Sequence, residues 1–141
     1  MFLQTDREVN SILAYGCNFM CLFDICVEAA GWAGKRSDLA RIIRNTYIDL
    51  VKTDAMGSNC YVNAYGPAVK QIYLALTGKK ITVETELCYP GTSPSKKYPL
   101  SREAWATPWG EHFLRSTYNP DPTVQTLRLT STRYFAIKEI T

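Results

Sequence analysis

The feature that most constrains the fold of this chain is an apolar stretch over residues 15–31, bounded by two glycines. Gly16 lies at its start and Gly31 at its end, and the residues between them are apolar on nearly every side of a helix. A helix that is hydrophobic all round belongs in the interior of a domain. The stretch therefore predicts a buried helix on which the rest of the chain packs.

A cysteine opens this helix. Cys17 follows Gly16 at a position where unpaired backbone N–H groups and the positive end of the helix dipole favour a thiolate. Cys21 and Cys26 lie further along, where a thiol usually behaves as a small buried apolar group. Cys17 is therefore a candidate nucleophile, and a purely structural buried cysteine is the alternative.

The first half of the chain predicts two more helices. Ser37 and Asp38 provide a capping residue for a helix whose apolar positions recur at helical spacing as far as Leu50. Pro67 suits the first turn of a third helix, which ends at Gly78.

The second half predicts strands and a long loop. Alternating or β-rich segments fall at residues 81–87, 111–118, 124–130 and 134–140. Residues 88–109 contain four prolines and predict a surface loop. Helices followed by an antiparallel sheet are typical of an α+β fold, and no linker divides residues 1–141, so we expect a single domain.

Composition excludes several classes of function. A net charge of +3, evenly spread, does not favour a nucleic acid partner. The N-terminus is acidic where a signal peptide is basic, and no segment has the length of a membrane span, so we expect cytoplasmic synthesis without a signal peptide. Five cysteines without framework spacing predict reduced thiols. The oligomeric state stays open.

The chain has one histidine, so a Cys–His nucleophile pair must use His112. A neighbouring imidazole can remove the proton of a thiol, and a third side chain normally orients that imidazole. Asp121 is the first choice for this orienting role and Asn119 is the second, because both follow the segment that contains His112.

Other chemical roles follow from position and residue type. The backbone N–H of Cys17 and the side-chain amide of Gln4 are candidate donors for an oxyanion hole, while a flexible polar residue is the alternative role for Gln4. Trp105 and Trp109 lie near His112 in sequence and are candidates for a substrate groove. With one histidine, no Cys-x-x-Cys pair and no phosphate-binding glycine loop, we expect no metal and no cofactor.

The order of these residues resembles that of the papain-like cysteine peptidase superfamily, and it is closest to the peptidases that remove double-glycine leader peptides from bacteriocins. The resemblance is carried by Gln4, by Gly16-Cys17 opening a buried helix, by His112-Phe113-Leu114 and by the Asp121-Pro122 turn. It implies a papain-like fold, with N-terminal helices, one of them buried and carrying the cysteine, packed on a C-terminal antiparallel sheet.

The resemblance also implies a thiol hydrolase that cleaves a peptide or amide bond. In that reaction Cys17 attacks the carbonyl, His112 transfers the proton, Asp121 or Asn119 orients the imidazole, and Gln4 contributes to the oxyanion hole. The substrate class is a peptide, a protein or the peptide of peptidoglycan, and a phage or bacterial lytic amidase or endopeptidase is one alternative. A catalytically inactive protein-binding module on the same scaffold, using the proline-bearing loop, is another.

Overall fold

The computed structural model describes residue 12, residues 15–119 and residues 121–140. In this part of the chain, three helices pack on a four-stranded antiparallel sheet. The helices are α1 Cys17–Ala30, α2 Arg36–Lys52 and α3 Tyr65–Thr77. The strands are β1 Ile81–Cys88, β2 Leu100–Thr107, β3 Gly110–Leu114 and β4 Arg128–Glu139. The predicted α+β class is confirmed.

Helix α1 is the buried helix that the sequence predicts. Gly16 precedes it, and Gly31 ends it in the left-handed region at φ 62°. A side chain does not fit at Gly16, because a Cβ there would lie 2.3 Å from the carbonyl oxygen of Ile12. No helix among the described residues, α1 included, is both long enough and apolar enough to cross a membrane.

The sheet has the strand order β1-β4-β2-β3, and every neighbouring pair is antiparallel. Helix α1 packs against β3 and β2, and α3 packs against β1. Leu100 and Phe135, which are partners in the β2–β4 register, are buried in the core with the helices. The helices therefore cover one face of the sheet, and β3 lies at its edge.

Two predictions for the second half of the chain are wrong in part. Residues 88–109 are not one loop, because they contain β2, and the two strands predicted at 124–130 and 134–140 are a single strand, β4. Strand β2 was not predicted because a charged residue, Arg102, occupies one of the buried positions in its alternating pattern. The edge strand also stops at Leu114, where a turn closed by the bridge between Arg115 and Tyr118 follows.

A buried arginine joins the edge of the sheet to α1. The guanidinium of Arg115 donates to Asp24 through Nη1 and to Glu28 through Nη2, the latter at 2.6 Å. Its Nε donates to the carbonyl oxygen of Ser101 at 3.0 Å. The Arg115 side chain is only 5% exposed, so its charge is balanced mainly by these two carboxylates.

We predict that Arg115→Ala lowers the free energy of unfolding by about 3 kcal/mol, because it leaves two neighbouring carboxylates without their buried partner. The measurement is urea unfolding followed by circular dichroism. Arg41→Ala is the matched control, since its pair with Asp38 is largely exposed, and it should leave the unfolding midpoint nearly unchanged. Equal effects of the two substitutions would contradict a stabilising role for the buried pair.

Candidate functional site

A cavity of about 790 Å³ lies between the start of α1, the turn at residues 59–62 and the sheet. Cys17 and Asn18 of α1 and Tyr65 of α3 contribute to its wall. The sheet contributes Arg102 from β2, Glu111 and Phe113 from β3, and Thr130, Ser131 and Arg133 from β4. The site thus depends on the packing of α1 and α3 against the sheet.

Two cysteines line this cavity, the half-buried Cys17 and the buried Cys60, whereas Cys21 and Cys26 are buried in α1, as predicted. Burial raises the pKa of Cys21 and that of Cys26 to about 12, so both stay protonated at neutral pH. The backbone before Cys17 is helical at Ile12 and at Tyr15. The N–H of Gly16 donates to the oxygen of Ile12 at 2.8 Å, and so it is not available to a substrate.

His112 is buried and forms a hydrogen bond with Asn119, with 3.0 Å between Nε2 and Oδ1. Because an amide oxygen only accepts, Nε2 is the donor, and in a neutral imidazole Nδ1 is then the acceptor. Asp121, the first choice from the sequence, instead accepts two hydrogen bonds from Thr123, which lower the pKa of its carboxyl group. The residue that orients the imidazole in this structure is therefore Asn119.

Strand alternation separates Cys17 from His112. Glu111 and Phe113 point into the cavity with Cys17, and the side chain between them projects to the opposite face of β3. That side chain is His112, whose register partner is Trp105 on β2. No hydrogen bond joins Cys17 to His112 in the part of the chain that the structure describes. The structure pairs His112 with Asn119 and leaves the thiol on the other side of the strand.

Three further residues were predicted from the sequence to belong to the site, namely Gln4, Trp105 and Trp109. Gln4 lies outside the described residues. Trp109 lines the cavity and is 94% exposed. Trp105 shares the face of His112, and its buried Nε1 has no acceptor among the described residues. Of the two tryptophans, only Trp109 borders the site that contains Cys17.

Sequence reasoning missed the polar centre of the cavity. Arg102 is 2% exposed, and its Nη1 donates to Asn18 Oδ1 at 2.7 Å and to the hydroxyl of Tyr65 at 2.8 Å. Asn18 also donates to that hydroxyl, at 2.9 Å. The signal that could have revealed this centre was the alternation of residues 100–104, in which the inward positions are leucine, arginine and alanine.

The rim of the cavity is aromatic. Every exposed aromatic side chain in the described part of the chain belongs to its lining, namely Tyr15, Tyr61, Tyr89 and Trp109. These residues come from four separate segments, so only the tertiary structure gathers them. Aromatic side chains supply large contact areas in binding surfaces because each has an apolar ring and, in Tyr and Trp, a polar group.

We predict that the free energy of unfolding falls as the pH rises from about 9 towards 12. The buried thiols of Cys21 and Cys26 keep their protons in this range, whereas in the unfolded chain they lose them above their ordinary pKa of 9.0. The slope is at most about 1.4 kcal/mol per pH unit for each thiol. Urea unfolding at a series of pH values should show a shallower decline for the double variant Cys21→Ala and Cys26→Ala. Identical declines would contradict the prediction.

Comparison with known proteins found no matching family model, no matching curated protein and no matching solved structure. The α+β architecture is therefore established by the structure alone. The cavity, with its polar and aromatic residues, is the feature of this structure that bears on function.

Proposed function

We propose that this domain is a binding module that holds a peptide segment of a protein partner in the cavity beside Cys17. The observation that carries the proposal is the clustering of all four exposed aromatic side chains of the described residues around one cavity. Tyrosine and tryptophan are enriched in protein interfaces, and contiguous exposed apolar patches usually mark a site of interaction. A cavity of about 790 Å³ is within the size range of ligand sites.

The loop at residues 89–99 supports this proposal because hydrogen bonds order the segment that follows Tyr89 at the rim of the cavity. The Glu86 carboxylate accepts hydrogen bonds from the N–H of Ser95, at 3.0 and 3.1 Å, and from its hydroxyl, at 2.7 Å. It also accepts one from the hydroxyl of Tyr98 at 3.1 Å. These bonds hold the proline-bearing loop on β1, and a preordered loop loses less conformational entropy on binding.

A papain-like thiol hydrolase acting on peptides, proteins or the peptide of peptidoglycan is the second candidate. It is favoured by the half-buried thiol at the start of a buried helix and by the pairing of His112 with Asn119, which in a neutral imidazole leaves Nδ1 free to accept a proton. Catalysis requires that Nδ1 approach the Cys17 thiol to hydrogen-bonding distance. Because the two side chains lie on different sides of β3, the binding module ranks first.

The binding proposal predicts that a peptide display library, selected on the wild-type domain, yields sequences whose affinity depends on the aromatic rim. The double variant Tyr61→Ala and Trp109→Ala should bind the selected peptides at least about tenfold more weakly, because it removes much of the contact area. Leu127→Ala is the matched control, since Leu127 is exposed outside the cavity. Failure to enrich peptides, or peptides indifferent to the double variant, would overturn the proposal.

The two candidates predict different reactivity of the Cys17 thiol. In the binding module, the rate of Cys17 alkylation by iodoacetamide at each pH is the same in the wild-type domain and in His112→Ala, because the imidazole does not contact the sulfur. Site-resolved mass spectrometry measures the rate, with the buried Cys26 as an internal reference. Fast labelling at neutral pH that is lost in both His112→Ala and Asn119→Ala would instead establish the hydrolase pair.

A further inference from the structure

The floor of the cavity carries two arginines whose charges are not balanced by a carboxylate. Arg102 and Arg133 are direct partners in the β2–β4 register, and both line the cavity. Neither forms a salt bridge within the described part of the chain. Like charges directly opposite each other on neighbouring strands destabilise a sheet, so this pair is unfavourable without a compensating group.

Aromatic rings supply part of the compensation. The Arg133 guanidinium lies 4.0 Å from the centre of the Tyr65 ring, and the Arg102 guanidinium lies 4.6 Å from the centre of the Phe113 ring. Cation–π contacts of this kind stabilise a guanidinium less than burying its charge costs. Burial lowers the pKa of Arg133, and the charge of Arg102 acts in the same direction.

Several N–H groups of the two guanidinium groups remain unused. In the described part of the chain, the Nε of Arg102 and that of Arg133 are buried without an acceptor. The hydrogen bonds of Arg102 are both donated by Nη1, and Arg133 donates through Nη1 to the hydroxyl of Thr85 at 3.2 Å. A bound acceptor in the cavity would give the two guanidinium groups the anionic partner that these neutral acceptors do not supply.

Arg115 shows how the same chain treats a buried arginine that has only a structural role. That side chain is held by two carboxylates and a backbone carbonyl. The carboxylate on the wall of the cavity, Glu111, is exposed and accepts a hydrogen bond from the hydroxyl of Thr130 at 2.9 Å. The two cavity arginines are thus left with donors available to an incoming group.

We infer that Arg102 and Arg133 form an oxyanion-binding site, which takes a carboxylate or phosphate group of the bound peptide. Planar guanidinium groups match the paired oxygens of both anions, and such charge-assisted bonds are among the strongest in proteins. The inference deepens the proposed function and rests on it for the nature of the ligand. An aromatic rim above a cationic floor selects a peptide in which an acidic or phosphorylated residue lies next to apolar ones.

The test uses two small anions, so it does not require a peptide. Sodium acetate and sodium phosphate are titrated separately into the ¹⁵N-labelled domain at constant ionic strength, and the Nε–H resonances of the arginines are followed by NMR. We expect saturable shifts at Arg102 and Arg133. If phosphate binds more strongly than acetate, the site takes a phosphorylated residue of the peptide. If acetate binds as strongly as phosphate, the site takes a carboxylate.

The variants separate a specific site from general electrostatic attraction. Arg133→Gln, at a half-buried position, should raise the half-saturation concentration at least about tenfold. Lys70→Gln removes the same charge from an exposed position outside the cavity and should change it by less than about twofold. Arg102→Lys keeps the charge but loses the planar fork, and it should also weaken binding.

Shifts that grow linearly with anion concentration would overturn the inference, and so would an equal loss of binding in Arg133→Gln and Lys70→Gln. Peptides that bind through the aromatic rim while neither anion moves the Arg102 resonance would remove the oxyanion site and leave the binding module standing. Saturable anion binding without any enriched peptide would support the oxyanion site and remove the peptide as its ligand.

Discussion

The burial of α1 between α3 and the sheet is the constraint on which the rest of the structure depends. Phe19, Leu22 and Ile25 are fully buried, and each such side chain contributes about 1.5–3 kcal/mol when it leaves water. Apolar residues cover nearly the whole circumference of α1, so hydrophobic burial alone does not determine how the helix is rotated about its axis. Polar contacts decide the rotation: Asp24 and Glu28 face Arg115, and Asn18 faces Arg102.

Between the helices and the sheet lie one buried arginine with carboxylate partners, Arg115, and two arginines without them, Arg102 and Arg133. Arg115 is neutralised by two carboxylates of α1, so these contacts join the turn after the edge strand to that helix. Arg102 and Arg133 are held only by neutral acceptors and by aromatic rings. Arg115 thus has carboxylate partners within the domain, whereas Arg102 and Arg133 have none. This contrast is the reason for the proposal that the latter pair binds an external anion.

The alternation of a single strand is the reason that the binding module ranks above the hydrolase as the proposed function. A one-residue step along β3 reverses the face of a side chain, so Phe113 contacts the guanidinium of Arg102 on the helix side while His112 lies on the other. The hydrogen bond from His112 to Asn119 is local, because one turn after β3 brings the two residues together. The relation of His112 to Cys17 is a long-range property of how α1 packs on the sheet.

Some features of this protein follow from its sequence alone. The apolar stretch bounded by Gly16 and Gly31 determined a buried helix, and the change from helical spacing to alternation determined the α+β class, because both are local periodicities. His112 is the single histidine, and the sequence predicted Asp121 or Asn119 as the residue that orients its imidazole. The structure has Asn119 in this position.

Tertiary structure decided the rest. Strand β2 was not predicted, since Arg102 interrupts its apolar pattern, and only the folded chain shows that Asn18, Tyr65 and Phe113 surround this arginine. The aromatic rim and the paired arginines come from segments far apart in the chain, and no local pattern links them. The sequence by itself determined the three helices and strand β1, because their periodicity depends on neighbouring residues. Which side chains share the cavity depends on the packing of α1 and on the register of the sheet, which only the folded chain defines.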